Sequence, residues 1–437
     1  MAKNKGSEPF NPYEGNILVD GLGPIPSPTE LENFLLNLPK APGAILEAPA
    51  YIRLHELLLL ENLFVPSPTS ISTAQSIDLS LRHSYRSRDP RIPANRWGEV
   101  EQHAKGPTSV RPPALDEVRG ARLVTIGGAA GTGKTRTISK SLSRYRELII
   151  HETFPGLVGQ HVQAVRLSVD VPASGQLVDL AAGLMMEWDR VFTHGLGSKA
   201  ARFELPLARY RHARKPSQGL PMFDEWSSVA RAHCLGVLHL DEIQNFFRIP
   251  TLEQRRAKKS ADSLPELSVK DDQALLRLLT WCNSMRIALV FSGTPDGMHA
   301  FARRLSVLTR VANGFFHEFS PLDGPNGPGF KFFSKRLESY QYVRNPLKLD
   351  EAARNTLHRL TASVPRILIG LWVGGQRIAL ERDKEDFLLT DLETAAATLL
   401  GPLRPAVQAL LKGDPVSLRR YEDLMHLNDG FWKQFWR

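Results

Sequence analysis

Eight residues constrain this chain more than any others: Gly128-Ala129-Ala130-Gly131-Thr132-Gly133-Lys134-Thr135. They follow the apolar run "ARLVTIGG" and open "KTRTISKSLSRY", a segment with helical periodicity. The spacing satisfies G-x-x-x-x-G-K-[ST], in which glycines let the backbone curl until its N–H groups converge and the following helix aims its positive end at the same point. Such a turn cradles phosphate. Gly128, Gly131, Thr132 and Gly133 form the cradle, and Lys134 is spaced to reach the β- and γ-phosphates of a nucleotide such as ATP. At about 4 Å and an effective dielectric near 20 that charge pair is worth roughly 4 kcal/mol before desolvation. Thr135 offers its hydroxyl to Mg²⁺. A turn that merely joins a strand to a helix needs far less than this full pattern.

A phosphate cradle of this kind sits at the carboxyl edge of a parallel sheet, so further strands are required. From Ala121 apolar runs alternate with amphipathic segments: a second strand "RELIIH", a third "QAVRLSVDV", a fourth "CLGVLHLD" and a fifth "RIALVFSGT". After the fifth the pattern is mainly helical. The fourth run ends in Asp241-Glu242. At the edge where the nucleotide lies, Asp241 is expected to hold Mg²⁺ through water and Glu242 to orient and deprotonate the attacking water. Alone, the same pair reads as the acidic first turn of the next helix. The fifth run ends in "FSGTP", where Thr294, or alternatively Ser292, is expected to sense the terminal phosphate; the other reading is a turn built on Thr294-Pro295.

The order of these parts narrows the class. A cradle after the first strand, an acidic pair later, a sensor strand next, then arginines and a helical region, is the layout of an AAA+ module, an α/β P-loop NTPase core with a parallel sheet followed by a helical lid. Arg303, Arg304 and Arg310 lie where such proteins place an arginine that enters a neighbour's site, although each also reads as a solvated charge. Arg366, at the start of "PRILIG", is a candidate phosphate contact from the lid. The expected division is an N-terminal extension over 1–118, the ATPase core over 119–322, the lid over 323–400 and a C-terminal tail over 401–437. The extension is rich in proline, as in "GPIPSP" and "FVPSPTS", and reads as an ordered but extended arm with a short helix capped at Ser27 or Thr29.

Formal net charge is +9, which suits a polyanionic partner. Two basic stretches fall in polar insertions: Arg209, Arg211, Arg214 and Lys215, then Arg255, Arg256, Lys258 and Lys259. Each is a candidate for duplex DNA through its phosphates, or a solvated face. Cys234 and Cys282 are far apart and form no zinc or disulfide pattern. The start of the sequence lacks the apolar core of a signal peptide and no run is long enough to span a membrane, so a cytoplasmic protein is expected. Phe431, Trp432, Phe435 and Trp436 close the sequence as an anchor for a partner, or as a tail folded on the lid.

"LHLDEIQNF" followed by "VFSGTP" resembles the TnsC group of AAA+ transposition regulators, relatives of TniB and more distantly of IstB. "NPYEGNILVDGLGPIPSP", "LRHSYRSRDP", "IIHETF" and "LRPAVQALLKGDPVSLRRYEDL" are similar to that group as well. The resemblance implies an ATPase that assembles as a ring or filament on target DNA, is recruited by a target-selection protein, and recruits and activates transposase subunits. It implies ATP and Mg²⁺ at Lys134, Thr135 and Asp241, hydrolysis supported by Glu242, a sensor at Thr294 and an arginine finger at Arg310, in a bacterial cell. Two other readings are an IstB-like helicase loader or remodelling ATPase, and a nucleotide-gated DNA scaffold with negligible hydrolysis.

Overall fold

The computed structural model describes residues 10–86, 88–92, 123–247, 277–281, 286–295, 297–298 and 315–413. Arg255, Arg256, Lys258, Lys259, Arg303, Arg304, Arg310 and the C-terminal aromatics lie outside them.

The strands are β1 (Leu123–Gly128), β2 (Leu148–His151), β3 (His161–Ala164), β4 (Arg166–Asp170), β5 (Val237–Asp241), β6 (Ala288–Gly293) and β7 (Phe315–Phe319). Five of them make one sheet in the order β4-β5-β6-β1-β7, with all neighbours parallel. The helices before β1 are α1 (Ile17–Asp20), α2 (Pro28–Leu35), α3 (Ala50–Leu58) and α4 (Pro68–Arg86). Then come α5 (Lys134–Ser143), α6 (Leu177–Leu196), α7 (Glu204–His212) and α8 (Gly219–Ala232). After β7 follow α9 (Pro328–Glu338), α10 (Glu351–Thr361), α11 (Pro365–Leu380), α12 (Leu389–Thr398) and α13 (Arg404–Lys412). This is a parallel α/β core followed by a helical C-terminal region.

Successive strand residues face opposite sides, and both sides are buried. Leu123, Leu238, Leu240, Leu289 and Phe291 pack under α6 and α8, with Trp188 and Trp226. Val124, Ile126, Val237, Ala288 and Val290 face the other way, onto Ile138 and Leu142 of α5 and Ile77, Leu81 and Tyr85 of α4.

Two strand expectations change. "RELIIH" does not join the parallel sheet: β2 pairs antiparallel with β3, Leu148 opposite Ala164, in a separate hairpin whose Ile150 is half exposed. "QAVRLSVDV" accordingly divides at Val165 between β3 and β4. A strand also follows the fifth run: β7 lies against β1, Val124 opposite Phe315, closing one edge of the sheet.

The described part of 1–118 is not an extended arm. Thr73, Ile77, Leu81 and Tyr85 recur every fourth residue and bury one face of α4 against the sheet. That face also carries satisfied polar groups: Arg82 binds Asp78 at 2.8 Å and the Gly23 and Pro24 carbonyls, while the Tyr145 hydroxyl reaches Asp78 at 2.6 Å. Ser27 caps α2 in a reciprocal box with Glu30. Further along, Leu57, Leu60 and Leu63 enter the apolar core of α9–α13, which is centred on Trp372 and Leu371. Arg53, 1% exposed, donates to the carbonyls of Ala48 and Tyr342 and pairs with Glu385 at 2.5 Å.

Candidate functional site

β1 delivers the chain to the loop with Gly128 at φ 150°, and a Cβ there would lie 2.2 Å from the Phe319 carbonyl oxygen of β7. No side chain fits beside that backbone. Gly133, at φ 99°, occupies the N-cap of α5 in a left-handed conformation. Within the loop the Thr132 hydroxyl donates to the Ala129 carbonyl at 2.7 Å. The Lys134 ammonium folds back over the loop and donates to the carbonyls of Gly128 and, at 2.9 Å, Ala129. Burial pushes its pKa down to about 8, with Asp241 and Glu242 pulling the other way.

Asp241 ends β5 in register with Asp170 of β4. Its Oδ2 accepts from the Thr135 hydroxyl at 3.1 Å, and its Oδ1 accepts from Ser292 Oγ at 2.6 Å and the Glu242 N–H at 2.9 Å. Burial opposes charge on this carboxyl, but the His239 ring, Ser292, the Glu242 amide and Thr135 outweigh it and the pKa is lowered. Burial holds His239 itself below its usual range, with Asp241 pulling the other way. Hydroxyl and carboxylate oxygens facing one another next to a phosphate cradle are hard donors of the kind Mg²⁺ takes, together with phosphate oxygens and water.

Glu242 sits at φ 60°, a conformation rare outside glycine, asparagine and aspartate, which turns the chain sharply after Asp241. Its carboxylate accepts from the Gln244 amide, and the Gln244 carbonyl oxygen accepts from the Thr294 N–H at 3.2 Å. The Thr294 hydroxyl accepts from the Gly297 N–H at 3.4 Å within its own turn. Of the two candidates on this strand, Ser292 is therefore the one whose side chain reaches the acidic pair.

These groups border one cavity of about 840 Å³, lined by Gly131, Thr132, Gly133, Lys134, Thr135, Asp241 and Glu242. Arg366 faces the loop from the start of α11, and its N–H donates to the Gly131 carbonyl at 3.3 Å. An apolar part of the cavity lining comes from segments that carry no motif. It is formed by Leu63, Phe64, Val65, Leu322, Phe333 and Ile369, with the Phe64 ring beside Gly133 of the loop. Arg136, one residue past the cradle, donates to the Glu61 and Asn62 carbonyls at 2.7 and 2.6 Å and stands 5.7 Å from the Phe64 ring. The "KTR" of the loop was the only local sign of this clasp.

Of the candidate DNA residues, Arg209 and Arg211 are exposed on α7 and Lys215 is exposed just beyond it. Arg214 is committed elsewhere: it binds Asp179 at 2.5 Å and Gln176 at 2.6 Å, and that pairing, with Ser174 and Tyr210, holds Asp179 at about 2 against its burial. Among the described residues, no helix is long and apolar enough to cross a membrane.

Residues 117–300 match the family model described as AAA domain, a span that contains the loop, the acidic pair and the β6 turn. Fold and site thus define the class, an AAA-type P-loop NTPase core. The Walker-type ATPase paby2304 of Pyrococcus abyssi is similar at 12% identity and a TM-score of 0.35, over 73% of this chain and 75% of that one. A Drosophila ORC chain, from a structure of ORC bound to DNA, is similar at 11% identity and a TM-score of 0.33, over 65% of this chain and 58% of that one. Likeness at that level speaks to neither ligand nor partner. No curated protein gives a match to the sequence.

Proposed function

We propose that the protein binds and hydrolyses ATP with Mg²⁺, and that it does so as a DNA-assembled regulator of transposition. The observation that carries the first part is the meeting of Thr135 and Asp241 at 3.1 Å beside the Lys134 cradle, with Glu242 on the same cavity wall. Lys134 leaves the loop carbonyls it holds in the free protein and pairs with the terminal phosphates. Thr135 and Asp241 hold the metal, which supplies neutralisation of phosphate charge. Glu242 takes a proton from the attacking water, and Arg366 contacts phosphate from the far side. The apolar lining that includes Phe64 and Ile369 takes the base.

The reading towards transposition is supported by the resemblance of "LHLDEIQNF" and "VFSGTP" to the TnsC group and by the charge of +9. Duplex DNA meets Arg209, Arg211 and Lys215 together with the basic stretch at 255–259, a neighbouring subunit supplies Arg310, and a target-selection protein and transposase dock on the flanking regions. Arg214 contributes by fixing α7 to Asp179. The test is electron microscopy of the protein with duplex DNA and a non-hydrolysable ATP analogue, alongside phosphate release with and without DNA. Nucleotide-dependent rings or filaments on DNA, with hydrolysis, are expected. Hydrolysis without any DNA-bound assembly would leave an ATPase of another role, and assembly without hydrolysis would leave a scaffold.

A further inference from the structure

We infer that His239 is a positioning residue for Asp241, acting through the Ser292 hydroxyl; the inference rests on the proposed reading of Asp241 as a metal-side carboxylate. His239 and Asp241 are two apart on β5 and therefore face the same side of the sheet, the side covered by α5. Ser168 of β4 is the register partner of His239 on one flank; on the other flank the partner is Val290 of β6, and Ser292, two residues further along β6, points to the same side. Ser168 Oγ lies 2.7 Å from His239 Nδ1, His239 Nε2 lies 2.8 Å from Ser292 Oγ, and Ser292 Oγ lies 2.6 Å from Asp241 Oδ1. A line of four polar side chains thus crosses three strands and ends on the carboxylate.

The direction of that line follows from chemistry. An ionised carboxylate only accepts, so the Ser292 O–H points at Asp241. Its oxygen then accepts from His239 Nε2–H, which fixes the tautomer and leaves Nδ1 to accept from the Ser168 hydroxyl. With Oδ1 occupied by Ser292 and the Glu242 N–H, the carboxylate plane is fixed and Oδ2 is the oxygen presented to Thr135. His239 is 3% exposed and Ser292 fully buried. Apolar residues of similar size would fill such sites at no cost in stability, whereas a polar row must satisfy every member. What the row adds is a carboxylate that is already aimed.

The test compares wild type, His239→Leu, Ser292→Ala and the double variant by titrating Mg²⁺ into each protein holding a fluorescent ATP analogue. Binding of the analogue in EDTA reports the folded cradle and is expected to be unchanged in all four. The Mg²⁺ concentration for half-maximal tightening should rise about tenfold in either single variant, the scale on which groups behind a metal ligand act. The double variant should rise no further, since one link serves both residues, and His239→Gln, whose amide N–H still reaches Ser292, should recover most of the loss. An unchanged Mg²⁺ midpoint in Ser292→Ala, the milder change, would overturn the inference, as would independent, multiplying losses in the double variant. If wild type held the analogue with no response to Mg²⁺, the metal-side reading of Asp241 would fall first and this inference with it.

Discussion

The polar and apolar linings of the cavity are built by opposite means. The polar lining is one contiguous loop plus the tips of two neighbouring strands, so its geometry is set by the sheet and by glycines that tolerate no side chain, as at Gly128. The apolar lining is assembled from residues 63–65, 322, 333 and 369, pieces hundreds of positions apart that meet only when the C-terminal helices close over the core. The first is rigid by construction. The second is as rigid as the clasps that hold it, of which Arg136 on the Glu61 and Asn62 carbonyls is the most direct.

Substitutions can separate the two. Lys134→Ala should weaken ATP and inorganic triphosphate alike, by about 10³-fold if most of the roughly 4 kcal/mol charge pair is lost; calorimetry with both ligands measures it. Equal losses assign the residue to the polar lining, and a loss confined to ATP would break the comparison. Glu242→Gln should leave both affinities within about twofold and lower phosphate release by about 10²–10⁴-fold, the range for a positioned general base. Arg136→Ala removes two surface hydrogen bonds from a cation and should cost ATP about tenfold while leaving triphosphate binding unchanged. A parallel loss of triphosphate would show that α5, and not the apolar wall, had been disturbed.

The pH effect is of the same size as the Arg136→Ala loss. Lys134 is held at about 8 in the free protein by burial, and bound phosphate raises that value. A group whose pKa is raised on binding contributes fully below its free value and loses its contribution as pH rises from that value to the bound one, so affinity should fall by about tenfold between pH 7 and 9. ATP and triphosphate should show the same fall, with proton uptake at pH 8.5 and little at pH 6.5, read by calorimetry in buffers of different ionisation enthalpy.

The same division decides what the sequence discloses. β1, its loop, β5 and β6 are short apolar runs ending in chemistry-bearing residues, and each is found where the runs lie. α4 is hard to read because polar residues sit among its buried positions beside Ile77, Leu81 and Tyr85: Arg82 and Asp78 pair within the helix and find their other partners, the Gly23 and Pro24 carbonyls and the Tyr145 hydroxyl, in distant chain. β7 is hidden because, at the sheet edge, only Phe319 of its five residues is fully buried. "RELIIH" has the composition of a buried strand yet forms a hairpin, because composition does not report which edge a strand finds. His239 reads as an ordinary strand residue until Ser168 and Ser292 are placed beside it.

Arg53 binds the Tyr342 carbonyl and Glu385 across separations of 289 and 332 residues. In terms of biosynthesis, residues made early on the ribosome wait for residues made near the end before the core around Trp372 can close. Leu57, Leu60 and Leu63 have their apolar partners in the same late-made region. The covering of the pocket is therefore expected to follow synthesis of the C-terminal helices, an order that limited proteolysis of ribosome-stalled chains would read.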